Sequence, residues 1–116
     1  VRVSLLNQLA EKFAANKDFD YAISAYETAI SESTRIFGAE RKTTFIARYN
    51  HAVTYAEIEQ IDKSISLLKQ LIADMKQTLE PDDPIFDRMY KGICVLYENF
   101  GGGEEVAALL EHLKRS

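Results

Sequence analysis

Self-repetition restricts this chain more than any other feature. Ala10, Ala52 and Cys94 are small residues, each followed three positions later by an aromatic (Phe13, Tyr55, Tyr97), and 42 residues separate each from the next. The same offset aligns Phe19 with Ile61 and Gly103, Asp20 with Asp62 and Glu104, and Ala22 with Ser64 and Val106. It also aligns Tyr26 with Leu68 and Leu110, and Ala29 with Leu71 and Leu113, without a gap. A chain that repeats at this period builds its core by stacking copies of one supersecondary unit, because a single unit cannot bury its own apolar face.

Within a unit the apolar spacing is helical. Ile65, Leu68, Leu71, Ile72, Met75 and Leu79 fall on one stripe, which predicts a helix from about Asp62 to Leu79. Two helices per unit give about six in all, an all-α class, and strand signals are absent. Asp20 and Asp62 stand where an N-cap would open the second helix of units one and two, and Gly38 after Phe37 reads as a C-terminal stop. Asp83 followed by Pro84 reads as N-cap and first helical residue of the third unit. The linkers between units are then FGAERKTT and LEPDDP. Residues 1–116 are expected to form a single domain of three repeats, about 3–44, 45–86 and 87–116. Because the chain opens on Val1 rather than Met, it is also expected to be an excerpt of a longer protein.

These residues resemble the tetratricopeptide repeat (TPR) family. Its pattern is a large residue, two spacers, Leu and a small residue, two spacers and an aromatic, then Ala, three spacers and an aromatic. Leu6, Leu9, Ala10, Phe13, Ala22 and Tyr26 meet it in the first unit. The second unit departs with Arg48, His51 and Ser64 ahead of Leu68, and the third offers Tyr90, Ile93, Cys94, Val106 and Leu110. The usual period is about 34 residues. The excess here, about two helical turns of longer second helix plus linker, is similar to the kinesin light chain type of repeat and to arrays in bacterial peptide-sensing regulators. The resemblance implies a right-handed α-α superhelix of helix-turn-helix repeats, with the first helix of each lining a concave surface.

The run ENFGGGEEVAALLEHL poses a separate question, since Gly101, Gly102 and Gly103 interrupt helix-forming sequence. The 42-residue register aligns them with Lys17, Asp18, Phe19 and with Glu59, Gln60, Ile61, the turn between the two helices of a repeat. A phosphate loop would need Lys followed by Ser or Thr after its glycines, and a dinucleotide fingerprint a preceding strand and a small residue at Val106. Glu104 and Glu105 in the helical turn behind the glycines would repel a phosphate while favouring the helix dipole. The glycines are therefore expected to be a turn, and the third unit the loosest.

Several function classes are disfavoured. A net charge of −4 repels a nucleic-acid backbone, and no apolar run is long enough to span a bilayer. With Cys94 the single cysteine, no internal disulfide or thiolate metal cage can form, which fits a reducing, cytoplasmic compartment. His51 and His112 lie far apart with no ligand at metal spacing, so no metal or cofactor is expected. Cys94 is expected to be a buried inert thiol in the slot where helices approach closely, and His51 a satisfied, partly buried imidazole. Asp82 and Asp83 are adjacent in a cap-and-turn context and point apart, so they make no acid/base pair. No catalytic group is expected, and the chain reads as a non-enzyme.

The resemblance places the concave lining at Ser4, Asn7, Gln8 and Glu11, then Ile46, Tyr49, Asn50 and Val53, then Arg88, Lys91, Val95, Glu98 and Asn99. The peptide-binding residues expected to matter most are Asn7, Glu11, Tyr49, Asn50, Val53, Arg88, Lys91 and Val95. Amides suit a peptide backbone, the patch around Tyr49 an apolar anchor, and Arg88 with Lys91 an acidic side chain or carboxylate. Some relatives clamp the terminal carboxylate of chaperone tails, and Asn50 and Lys91 match that clamp while Asn7, Glu11 and Val95 depart from it. The expected function is a non-catalytic scaffold for a protein or peptide partner. The alternative is a structural segment that self-associates, as a homo-oligomer through uncovered terminal repeats, or packs against further repeats.

Overall fold

The computed structural model describes the backbone of residues 2–100 and 103–114, and the side chains of these except residues 2–4, 97, 100, 103, 105, 112 and 114. Six helices follow one another: α1 (Arg2–Ala15), α2 (Phe19–Phe37), α3 (Lys42–Glu57), α4 (Ile61–Thr78), α5 (Pro84–Phe100) and α6 (Gly103–Lys114). No strand occurs among the described residues. The helices pack as two compact units, Val1–Thr54 and Tyr55–Ser116.

The repeat register predicts burial residue by residue. In the first unit Ala10, Ala22 and Ala29 are wholly enclosed, and Ala10 packs with Ala25 and Tyr26 where α1 lies along α2. Small side chains let these two helices approach closely, and Tyr26 and Phe45 supply the bulk of the core. The second unit fills its core with larger aliphatic side chains and a methionine instead: Leu68, Leu71, Ile72, Met75, Ile93 and Leu109 are all essentially inaccessible. Cys94 departs from expectation, being a free thiol that is half-buried, whereas Ala10 and Ala52 at the same register are fully buried.

The turns inside the first two repeats share one geometry. Lys17 and Glu59 are the described non-glycine residues with positive φ, 65° and 66°. They stand one period apart. Lys17 N–H donates to the Ala14 carbonyl and Asp18 N–H to Phe13, while Glu59 N–H donates to Ala56 and Gln60 N–H to Tyr55. This pair of bonds, three and five residues back, closes a helix end with a left-handed residue that glycine occupies at no steric cost. The third residue at that register is Gly101, which lies with Gly102 outside the described residues. Gly103 is the first residue of α6.

This geometry also corrects the helix starts. The N-caps are Asp18 and Gln60, neither with a side-chain cap bond, so Asp20 and Asp62 fall in the first turn and act on the helix dipole rather than as caps. The left-handed residue fixes where the next helix begins, and that is not visible in the cap chemistry of the aspartates. The linkers shorten to residues 38–41 and 79–83 because α2 reaches Phe37, α3 starts at Lys42 and α5 starts at Pro84. Gly38 does end α2, with φ 97° and its N–H on the Thr34 carbonyl. Asp83 does cap α5, its Oδ1 accepting the Ile85 N–H at 3.0 Å.

A prediction follows for the two strained turns. Lys17→Gly and Glu59→Gly should each raise stability by about 0.5 kcal/mol, because relief of a left-handed non-glycine residue, about 1–2 kcal/mol, exceeds the added unfolded-state entropy. Urea unfolding of each variant is the measurement. A lower midpoint in both would mean that these positions are held by side-chain contacts rather than strained.

Candidate functional site

The expected site residues fall into two sets. In the first unit Asn7 and Glu11 lie one turn apart on α1, and Tyr49, Asn50 and Val53 share a stripe of α3. In the second unit Arg88, Lys91 and Val95 follow one another along α5 at spacings of three and four. Each set belongs to its own unit.

Exposure separates the residues further. Glu11, Arg88, Lys91 and Val95 are exposed, and Asn7, Tyr49, Asn50 and Val53 are half-buried. Of the wider lining, Gln8, Glu98 and Asn99 are exposed and Ile46 is half-buried, while the side chain of Ser4 lies outside the described residues. Asn7 Oδ1 is a buried acceptor with no hydrogen-bond partner among the described residues. Lys91 Nζ pairs with Asp87 Oδ2 at 3.1 Å, and both side chains face solvent. The Asp87 partner is readable in the sequence as an acid four residues before a lysine on one helix.

Other polar groups serve the fold. His51 is partly buried as expected, and its Nε2 lies 3.6 Å from Glu27 Oε2 inside the first unit, a distance of ionic contact between α3 and α2 rather than of a hydrogen bond that would satisfy that nitrogen. Lys63 sits 4.4 Å from the centre of the Tyr55 ring in the second unit. Burial pushes the Glu57 carboxyl above the usual carboxylate range. Its folded pKa exceeds its unfolded one, so ionisation opposes folding at neutral pH and the penalty lifts as pH falls through the raised value.

Lys76, Leu79, Pro81, Phe86 and Leu113 line a cavity of about 50 Å³. Sites for drug-sized ligands run to several hundred Å³. Among the described residues, no three His, Cys, Asp or Glu side chains converge as a metal would require, and no helix is long and apolar enough to cross a membrane. The first unit carries an apolar surface on which Leu5, Leu9 and Tyr21 are all exposed, three residues that sequence reasoning assigned to no exposed surface although it expected uncovered terminal repeats. Tyr21 stacks on Phe13 with ring centres 5.4 Å apart. At the same register as Leu5 and Leu9, Ala47, Met89 and Ile93 are buried and His51 is half-buried.

The family model of the tetratricopeptide repeat matches residues 2–77, which carry the first two helix pairs with their shared turn geometry. The chain belongs to the tetratricopeptide repeat family. No curated protein matches it. Among solved structures, it is similar to TPR-like repeats of a Podosopora anserina protein described as a kinesin light chain, with 20% identity and a TM-score of 0.76 over 97% of this chain. A single-substitution variant of that protein gives 20% identity and a TM-score of 0.75 over 97% of this chain. This TPR chain spans 53% of the length of either solved chain. At that identity the likeness shows the fold, an all-α helical repeat. TPR repeats generally mediate protein–protein interaction, and the fold is a non-catalytic scaffold type.

Proposed function

We propose that this TPR chain is a non-catalytic, cytoplasmic scaffold that holds a peptide or partner segment on the concave face of its first helices. Asn7, Glu11, Tyr49, Asn50 and Val53 would serve it in the first unit, and Arg88, Lys91 and Val95 in the second. The observation that carries this reading is the family match itself, because binding protein segments is what the repeat generally does. The chemistry of the residues agrees with it. Half-buried amides and Tyr49 offer hydrogen bonds and an anchor with little rotamer freedom to lose. Among the described residues Lys91 pairs with Asp87 in an exposed ion pair, worth about 0–1 kcal/mol, so an incoming carboxylate competes with Asp87 at low cost.

The test is affinity capture from native extract, comparing the wild-type chain with an Asn50→Ala, Lys91→Glu double variant of unchanged helicity and mass. Reversing a cation that meets a ligand carboxylate costs about 2 kcal/mol or more, so affinity should fall roughly thirtyfold or further and captured partner with it. Equal capture by both proteins would remove the concave face from consideration. A second reading, packing against another repeat or another copy, is favoured by the exposure of Leu5 and Leu9.

A further inference from the structure

Glu57 is the last residue of α3, where three conditions work against a carboxylate. A helix carries the negative end of its dipole at the C-terminus, which favours a cation there. The Glu57 side chain is half-buried, and that loss of water holds its pKa up. Among the described residues its carboxylate makes no hydrogen bond and no ion pair. The cation nearest in sequence, Lys63 of α4, lies over the Tyr55 ring instead.

The fold does not ask for this acid. At the same register the other repeats hold Ala15 and Asn99. The turn from α3 to α4 is closed by backbone bonds from Glu59 and Gln60 to Ala56 and Tyr55, without the Glu57 side chain. A carboxylate that costs stability and makes no contact within the chain is a candidate for contact outside it. Its position says which contact. Ile46, Asn50, Val53 and Glu57 follow one another along α3 at spacings of four, three and four, so Glu57 continues by one turn the stripe that carries Asn50 and Val53. Glu57 belongs to the second unit, as do Arg88, Lys91 and Val95. That unit therefore offers a bound segment both signs of charge, two cations on α5 and a carboxylate at the end of α3.

Resting on the concave-face reading proposed above, we infer that Glu57 sets specificity by receiving a Lys or Arg side chain of the bound segment in a charge-assisted hydrogen bond. The ligand is a segment of mixed charge, its cation on Glu57 and its acid on Arg88 and Lys91. The incoming cation supplies the compensation that the chain lacks, and the negative helix end strengthens its hold. Segments with a neutral or acidic residue at that place leave the carboxylate desolvated and unpaired, and are rejected.

A random peptide library displayed on phage and selected on the full 116-residue chain is the probe. Peptides enriched on the wild type should share a Lys or Arg at one position. A synthetic copy should bind the Glu57→Gln variant about tenfold more weakly or worse, read by fluorescence anisotropy. Glu57→Lys should bind it more weakly still, and a peptide with Glu in place of that Lys or Arg should recover binding to Glu57→Lys. At pH 7 the Glu57→Gln variant should unfold at a urea concentration no lower than the wild type, because the group removed is one whose ionisation opposes folding. A lower midpoint would mean that the carboxylate serves the fold, and would overturn the inference. Peptides that Glu57→Gln binds undiminished, but the Asn50→Ala, Lys91→Glu variant does not, would keep the concave face as the binding site and remove Glu57 from it. No enriched peptide, or peptides bound equally by every variant, would overturn both readings.

Discussion

Leu68→Ala should lower stability by about 3 kcal/mol, while Leu110→Ala, one period later at the same register, should cost about 1 kcal/mol or less. Leu68 is 1% exposed and shares its surroundings with Ile61 and Ile65 of α4, Ile93 and Leu96 of α5, and Val106 and Leu109 of α6. With neighbours held by three helices, the site cannot collapse onto the missing atoms, and a residual cavity adds to the lost transfer energy. A domain of this size has roughly 5–15 kcal/mol in total, so the variant should lose a large part of its margin. Leu110 is half-buried, and truncating it removes less surface from the core. Urea midpoints at unchanged slope give both numbers. Equal costs at high concentration that diverge on dilution would point to Leu110 being covered by another copy. Equal costs at every concentration would mean that Leu110 is as enclosed within one chain as Leu68.

That contrast shows where the register helps and where it stops. It places Ala22, Ser64 and Val106, and Ala29, Leu71 and Leu113, in the core, and all six are buried. Periodicity encodes which face turns inward, and that is a property of the repeat. It does not encode how much cover a given repeat receives, which depends on neighbouring helices and differs for Leu110 and Cys94. Helix starts were displaced because the left-handed Lys17 and Glu59 set them, and a lysine or glutamate in that conformation leaves no compositional mark; only glycine at the aligned position 101 hinted at it. Of the candidate site, helix positions and the Asp87 to Lys91 spacing were legible, because both follow from helical geometry. The buried Asn7 Oδ1 was not, since enclosure of one atom depends on side chains distant in sequence.

Thr44→Val should cost about 2 kcal/mol, and Ser33→Ala distinctly less, although the two hydroxyls bond each other. The asymmetry comes from counting hydrogens. Thr44 has one hydroxyl proton, and it is donated to the Gly38 carbonyl at 3.1 Å. Ser33 must therefore be the donor to Thr44 Oγ1. Ser33 is 0% exposed and Thr44 1%, so neither can turn to water. Valine at 44 strands a buried donor on Ser33 and removes the donor serving Gly38. Alanine at 33 leaves Thr44 bonded to Gly38 and costs only one accepted bond. The aligned residue in the next repeat, Met75, is wholly buried, so a serine at position 33 is a polar group at a core register and needs its partner. The double variant should fall short of the sum of the two single losses by about 1 kcal/mol, the coupling expected of a shared buried network. Simple additivity would show that Ser33 finds another acceptor, such as a carbonyl one turn earlier in α2, and that the hydroxyl pair does not hold α3 to the end of α2.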